Sequence, residues 1–269
     1  MNSNYTIILG AEGKLGRAMA RAVAGKNCNL ILISISATDL QKFAIGLQLS
    51  KDVDVQAYKL NLSRQQDIYN LISELKEKYQ IRALINNITC EWSEVRQECV
   101  SLMNGVNFNT RFRASAMITW MLLPELKKWP VSYIQNIVPT PYGPNKGIMD
   151  NTDTIAKMYA FSKELDDELK NSGVIVSVLH PSPVKTISDL SLADEGFNPM
   201  AAMVPRKIAE KAINGMLSGK RLIIPGFRNL VRFYLNKHTS FWFRLPLQSV
   251  VSREKDLLND SESSLQPSS

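Results

Sequence analysis

The sequence predicts an α/β fold with three α/β/α layers, in which a doubly wound parallel sheet lies between two layers of helices. Two observations lead to this prediction. Short apolar runs suited to buried strands alternate with longer stretches whose apolar residues recur at helical spacing. A glycine-rich turn, Gly10-Ala-Glu-Gly13-Lys-Leu-Gly16, follows the first apolar run. Repeated β-α units of this kind place helices on both faces of one sheet.

Each element follows from its local pattern. Leu15, Met19 and Val23, for example, are spaced to face a sheet from one side of a helix. The predicted strands are Tyr5–Leu9, Leu30–Ile33, Val53–Leu60, Ala83–Asn87, Val131–Ile137, Val174–Leu179 and Arg221–Ile224. The predicted helices are Leu15–Ala24, Thr38–Leu49, Ser63–Tyr79, Val106–Lys128, Ile155–Asn171 and Pro205–Leu217. Ser63 is expected to cap the third helix. The fourth is expected to stop before Pro130, because helical backbone is disfavoured just before a proline.

Composition sets wide limits on function. With 269 residues and 45% apolar content, the chain is long enough for one sizeable core. Its three cysteines lack Cys-x-x-Cys spacing and its two histidines are isolated, so neither a disulfide framework nor a metal site is expected. No signal segment or membrane-length apolar run is evident, which favours a cytoplasmic location. The net charge of +7 suits an anionic cofactor, a membrane surface or nucleic acid without choosing among them.

Three regions are expected along the chain. Residues 1–226 form the domain that carries the sheet and the candidate site residues. Residues 227–251 mix basic and aromatic side chains and are expected to cover the cleft or a subunit interface. Peripheral contact of 227–255 with an anionic membrane is the less favoured alternative. Residues 252–269 are polar and serine-rich, as in a flexible tail. Nucleic-acid binding is not expected, since the positive charge is scattered and no nucleic-acid motif accompanies it.

Tyr159 and Lys163 form the most informative pair in the chain. Four residues apart on a predicted helix, they point from the same face. A phenol is a poor proton donor or acceptor at neutral pH, and a neighbouring fixed cation favours the phenolate. Taken alone, the pair also fits a half-buried aromatic beside a solvated lysine. The glycine turn upstream favours the chemical interpretation.

The glycine turn suits a dinucleotide. Gly10 allows a tight exit from the first strand, Gly13 lets backbone approach a pyrophosphate, and Gly16 lets the helix pack closely on the strand. Lys14 and Leu15 open the helix, whose N-terminal amides then face the phosphates. An ordinary β-α loop is the alternative.

Several motifs in this order resemble the short-chain dehydrogenase/reductase family over about residues 4 to 226, which implies a Rossmann fold. Gly10, Gly13 and Gly16 match a Gly-x-x-Gly-x-x-Gly cofactor turn. Asn86-Asn87 matches half of the family's Asn-Asn-Ala-Gly motif. The family's remaining motifs correspond to Asn107, to Tyr159, Ser162 and Lys163 in Tyr-x-x-Ser-Lys, and to Pro181-Ser-Pro-Val-Lys-Thr186.

The resemblance implies an NAD(P)-dependent oxidoreductase that interconverts a carbonyl and a hydroxyl group by hydride transfer. Tyr159 would act as acid/base, Lys163 would favour the phenolate and bind the nicotinamide ribose, and Asn107 would position a water of the proton relay. Thr186 would contact the nicotinamide end of the cofactor. By the same analogy the protein would form a homodimer or homotetramer.

The chain departs from the family at its catalytic serine. In Asn136-Ile-Val-Pro139-Thr140, a proline stands where that serine is expected. The serine would polarise the substrate carbonyl, and the loss of one such donor costs about 3 kcal/mol of transition-state stabilisation. In one alternative, Thr140 or Tyr142 supplies the hydroxyl that the serine would provide. A catalytically impaired protein that binds the cofactor or acts as a scaffold is the other.

The nicotinamide cofactor is predicted to be NADP(H) rather than NAD(H). Family members that choose NAD usually carry a carboxylate after the second strand, and Ser34-Ile-Ser has none. Lys14 is placed to reach a 2′-phosphate. Asn61 and Leu62 replace the acidic residue that often contacts adenine, and both retain backbone or amide groups for the contact.

Overall fold

The computed structural model describes residues 4–35, 39–87, 108–138, 152–181, 203–227, 229–231 and 233–234. Its strands are β1 (Asn4–Leu9), β2 (Asn29–Ser34), β3 (Val55–Lys59), β4 (Gln80–Asn86), β5 (Ser132–Ile137), β6 (Val174–Leu179) and β7 (Leu222–Ile223). Its helices are α1 (Lys14–Ala24), α2 (Leu40–Ser50), α3 (Gln65–Lys78), α4 (Phe108–Leu126), α5 (Thr152–Glu168) and α6 (Pro205–Leu217).

The strands form one seven-stranded parallel sheet in the order β3-β2-β1-β4-β5-β6-β7. The chain starts in the middle of the sheet, winds outward to β3, and then crosses back to place β4 on the other side of β1. The winding therefore reverses between β1 and β4, which confirms the predicted doubly wound fold. In open sheets of this kind the crevice outside the carboxyl ends of the strands is where ligands bind.

Two apolar clusters cover the two faces of the sheet. One packs α3, α4 and α5 against one face, and the other packs α1, α2 and α6 against the opposite face. The central strand shows the alternation clearly, since Ile7 and Ile8 are both fully buried but belong to different clusters. A strand covered on both faces has no solvated side, so its sequence is continuously apolar.

The start of α3 differs from the prediction. Ser63 does not cap the helix; the residue at the cap position is Arg64, whose side chain makes no capping hydrogen bond. The turn is instead closed by Asn61, whose Oδ1 accepts the Ser63 N–H at 3.0 Å and whose carbonyl accepts the Arg64 N–H at 3.2 Å. Asparagine competes well for this role because its side chain mimics a backbone turn.

A second difference lies at the end of α4. The helix runs through Pro124 and ends at Leu126, rather than continuing to Lys128. A proline within the last turn removes one backbone donor, and the chain leaves the helix shortly afterwards.

Residues 227–269 form a second compact unit, separate from the unit of residues 1–226. In its described part, the rings of Phe233 and Tyr234 meet edge-to-face, with centroids 5.7 Å apart. Most of the predicted extension 227–251 and all of the predicted tail 252–269 lie outside the described residues. Within the described part of the chain, no helix combines the length and apolar character needed to cross a membrane.

Two glycines test how much the backbone conformation contributes to stability. Gly173 has a φ of +75°, and a Cβ there would lie 2.6 Å from the carbonyl oxygen of Pro130. We expect Gly173→Ala to lower the free energy of unfolding by about 1–3 kcal/mol, measured by urea denaturation. Gly46→Ala is the matched control, because a Cβ at that position on α2 meets no atom within 4 Å. It should stabilise the protein by up to about 1 kcal/mol. Equal effects of the two substitutions would contradict this account.

Candidate active site

The glycine turn leaves β1 through a position that only glycine fits. Gly10 has a φ of +75°, and a Cβ there would lie 1.8 Å from the carbonyl oxygen of Asn87. Its N–H donates to the carbonyl of Ile33 at 2.9 Å. Left-handed backbone and contact with a neighbouring chain segment both exclude a side chain. The turn is therefore fixed between the ends of β2 and β4.

Asn87 holds the turn from the other side. Its Nδ2 donates to the Gly10 carbonyl at 2.8 Å, and its backbone N–H donates to the carbonyl of Leu9 at 3.0 Å. Gly16 completes the contact, since a Cβ there would lie 2.2 Å from the Gly10 carbonyl oxygen. The first turn of α1 thus packs directly on the turn that precedes it.

The N-terminus of α1 is suited to an anion. Gly13 occupies the cap position in extended conformation (φ −74°, ψ 165°), no side chain caps the helix, and its first turn contains no carboxylate. The first amides of a helix have no partners within it, and the helix dipole favours negative charge there. Lys14 is exposed at this end, whereas Leu15 is buried in the core. These features fit the pyrophosphate of a dinucleotide.

Three further predicted cofactor residues lie at the ends of β2 and β3. Ser34 is buried, and its carbonyl accepts the N–H of Leu60 at 2.9 Å. Asn61 is exposed, with its side-chain oxygen held by the Ser63 N–H. Leu62 is buried in the core, which leaves its backbone as the part that a cofactor would meet.

Tyr159 and Lys163 lie one turn apart on α5, and both are exposed. The Tyr159 ring, which is 40% exposed, stacks on the ring of His180 with centroids 5.8 Å apart and an angle of 23° between planes. His180 directly follows β6, so this stack places the phenol at the carboxyl edge of the sheet. The glycine turn follows β1 at the same edge.

Sequence reasoning missed His180, which it treated as isolated. The imidazole is buried, and its Nδ1 lies 2.9 Å from the carbonyl oxygen of Val138. Burial lowers the pKa of His180 to about 4, although the hydrogen bond to Val138 acts in the opposite direction. The ring is therefore neutral at pH 7, with its proton on Nδ1, since a carbonyl only accepts. Its position immediately after a buried strand was the feature of the sequence that could have pointed to a role at the site.

A buried chain of hydrogen bonds joins α5 to the strands beneath it. Asn86 Nδ2 donates to Thr119 Oγ1 on α4 at 3.0 Å and to Asn136 Oδ1 on β5 at 2.8 Å. Asn136 Nδ2 donates to Ser162 Oγ at 2.9 Å, and Ser162 Oγ donates to the carbonyl of Met158 at 2.7 Å. All four side chains are buried. This polar chain fixes the turn of α5 that carries Tyr159.

The structure thus places most of the predicted site residues at one edge of the sheet. Asn107, Thr186, Pro139, Thr140 and Tyr142 lie outside the described residues. Across the described ranges, no three His, Cys, Asp or Glu side chains gather in a group that suits a metal ion.

Comparison with known proteins supports the fold described above. The sequence pattern described as short chain dehydrogenase matches residues 4–195. The chain is 26% identical over 234 residues to a very-long-chain 3-oxoacyl-CoA reductase of Vanderwaltozyma polyspora, covering 78% of this chain and 65% of that protein. The chain therefore spans less than two thirds of that relative's length.

Two further proteins are informative. An inactive hydroxysteroid dehydrogenase-like protein 1 of Mus musculus is 25% identical over 233 residues, covering 81% of this chain and 67% of that protein. A solved short-chain dehydrogenase from Sphingobium yanoikuyae, in complex with NADPH, superimposes with a TM-score of 0.68 at 21% identity, covering 96% of both chains. That likeness supports the fold.

The hydrogen bonds of Ser162 in the buried polar chain are expected to stabilise the fold. Ser162→Ala leaves the Asn136 Nδ2 without its buried acceptor, and we expect a loss of about 1–3 kcal/mol in the free energy of unfolding. Ser218→Ala is the control, because Ser218 Oγ makes the same bond to the carbonyl four residues earlier at 2.7 Å but is exposed. Its cost should stay below about 0.5 kcal/mol. Urea denaturation of the three proteins compares them, and equal losses would refute a structural role for the chain.

The free energy of unfolding is expected to depend on pH because of His180. Because its pKa is lowered from 6.5 to about 4 in the folded state, the unfolded chain binds the proton more readily. The contribution of His180 is complete above pH 6.5 and is lost as the pH falls towards 4, by about 3 kcal/mol. Denaturation of wild type and His180→Asn over this range measures it. The difference between their unfolding free energies should be constant above pH 7 and shrink below pH 6.5; a constant difference throughout would contradict the assignment.

Proposed function

Because the chain belongs to the short-chain dehydrogenase family, we propose that it is an oxidoreductase that interconverts a carbonyl and a hydroxyl group. The observation that carries this proposal is the placement of Tyr159. Its ring is anchored on His180 at the sheet edge that also bears the glycine turn. The proposed acid/base group and the proposed phosphate-binding turn therefore lie at the same edge of the sheet.

The glycine turn fits a nicotinamide dinucleotide. Gly10 and Gly16 leave no room for side chains, and the uncapped N-terminus of α1 presents backbone amides. Further contacts are proposed from Gly13, Lys14, Leu15, Ser34, Asn61, Leu62, Asn87, Tyr159, Lys163 and Thr186. When bound, the nicotinamide supplies or accepts the hydride. NADP(H) is favoured over NAD(H), because Ser34 brings no carboxylate and Lys14 is exposed beside the turn.

Tyr159 is the proposed proton donor during reduction. Its Oη gives a proton to the oxygen that forms from the substrate carbonyl, and takes one from the hydroxyl in the reverse direction. The ammonium of Lys163, one turn further along α5, is proposed to assist Tyr159 and to hold the ribose hydroxyls. Asn107 is proposed to hold a water that continues the proton relay.

His180 and Ser162 position this tyrosine. The imidazole supports one face of the phenol ring, and Ser162 holds the Met158 carbonyl, directly before Tyr159. Both are buried and fixed by hydrogen bonds to β5 or the residue that follows it. Such support keeps a catalytic group in its productive orientation.

An apolar carbonyl or alcohol is the proposed substrate class. The name of the V. polyspora relative specifies reduction of a 3-oxoacyl thioester with a very long chain, which is consistent with this class. We further propose a cytoplasmic location and a homodimer or homotetramer. Residues 227–251 are proposed to cover the cleft or an interface.

A second function is a cofactor-binding or scaffold protein without turnover. Two observations favour it. Pro139 stands where the family's catalytic serine is expected, and one relative is named as inactive. The intact set of Asn107, Tyr159 and Lys163 favours the oxidoreductase, because a scaffold has no need of a proton relay.

The Tyr159→Phe substitution tests the mechanism. We expect turnover of a carbonyl substrate, found by screening a panel with NADPH, to fall by about 10²–10⁴-fold while NADPH still binds. The phenylalanine ring keeps the stack on His180 and removes only the hydroxyl. Tyr69→Phe, at an exposed tyrosine on α3, is the control and should keep wild-type activity.

Cofactor fluorescence and initial rates give the two readouts. Unchanged turnover in Tyr159→Phe would remove Tyr159 from the mechanism. NADPH binding by the wild type without reduction of any carbonyl in the panel would favour the scaffold function.

A further inference from the structure

The two helical layers carry opposite charge. The sequences of α1, α2 and α6 contain seven basic side chains against one carboxylate, a net charge of +6. Those of α3, α4 and α5, on the other face of the sheet, contain six basic side chains against nine carboxylates, a net charge of −3. The proposed catalytic helix α5 belongs to the acidic layer, and of the basic side chains on α1, α2 and α6 the proposed cofactor site uses Lys14 alone.

A large groove, which we call the α1/α6 groove, lies on the basic layer. It has a volume of about 1240 Å³ and is lined mainly by α1 and α6. Its six basic lining residues are Lys14, Arg17, Arg21, Lys26, Lys51 and Arg206. Between them, the lining includes small or apolar side chains such as Ala18, Ala22 and Ile213. Pockets for small molecules usually measure about 300–1000 Å³, so a ligand with several charged groups fits this space.

Two of the arginines are held in place. The guanidinium groups of Arg17 and Arg21 lie 5.1 and 4.9 Å from the centre of the Phe43 ring, and Arg17 Nε donates to the Glu12 carbonyl at 3.0 Å. Stacking on an aromatic ring leaves the edge of a guanidinium free to bind oxygen atoms in pairs. Because these side chains are already ordered, less conformational entropy is lost when an anion binds.

Among the described residues that line the groove, Glu210 is the single carboxylate. Glu210 accepts from Arg206 Nε at 2.8 Å, so its charge is offset within the same turn of α6. The N-terminus of α6 adds positive potential. Val204 does not cap this helix with a side chain, and its first turn contains no carboxylate.

We propose that the α1/α6 groove binds a ligand bearing at least two phosphate groups, at a site separate from the nicotinamide site. The basic residues extend along all of α1, which is about 16 Å long. Arg21 and Lys26 therefore lie well beyond the glycine turn, at the opposite end of the helix. A soluble polyphosphorylated molecule and the phosphorylated headgroup of a membrane lipid share this chemistry. The proposal does not depend on the proposed reaction.

Tripolyphosphate is the probe for the soluble source. Its dissociation constant is measured by isothermal titration calorimetry with the full chain, for wild type and for the double variant Arg21→Gln/Lys26→Gln. The charge-matched control is Lys76→Gln/Lys127→Gln, which removes two basic residues from the opposite side of the sheet. We expect at least tenfold weaker binding in the groove variant and less than a twofold change in the control.

Vesicles test the lipid source. Sedimentation is compared for vesicles of phosphatidylcholine alone and with 5% phosphatidylinositol bisphosphate, using the same three proteins. Vesicle binding that is lost in the groove variant and kept in the control supports a lipid headgroup. Tripolyphosphate binding with the same pattern supports a soluble ligand.

Three results would overturn the proposal. The first is no binding of either probe by the wild type. The second is an equal loss in both double variants, which shows a response to net charge alone. The third is a parallel loss of NADPH affinity in the groove variant, because the groove would then belong to the cofactor site.

Discussion

The close approach of the glycine turn to the end of β4 is the constraint on which the candidate site depends. Asn87 donates to the Gly10 carbonyl while its own carbonyl occupies the space that a side chain at position 10 would need. The contact joins β1, β4 and α1 where the winding of the sheet reverses. The backbone of the glycine turn is therefore fixed beside the opening that such a reversal creates.

Polar side chains beneath α5 fix this helix, as Asn87 fixes the glycine turn. Asn86 and Asn136 lie opposite each other on the neighbouring strands β4 and β5, and Ser162 connects them to α5. Buried amides and hydroxyls are costly unless they are paired, so a helix displaced from this position would leave unpaired groups behind. The stack of Tyr159 on the buried ring of His180 is a second contact that holds α5 in place.

Much of the fold was predictable because burial on both faces of a parallel sheet leaves a continuous apolar signal, as in Asn29–Ser34. The glycine turn and the Tyr159/Lys163 pair were predictable because each depends on local spacing. Asn61 closing the turn before α3, in place of Ser63, was not predictable, because both residues favour such turns. The role of His180 depends on Val138, 42 positions away along the chain, and on Tyr159, so only the folded chain brings it into view.

The opposite charges of the helices on the two faces of the sheet contribute an electric dipole directed across the plane of the strands. A dipole of this kind exerts a torque on the molecule as it nears a charged object, so encounters are oriented before any contact forms. An anionic object meets the face of α1, α2 and α6 first, and the face of α5 is then turned towards the solvent. Salt shortens the range of this orienting field to roughly 8 Å at physiological ionic strength.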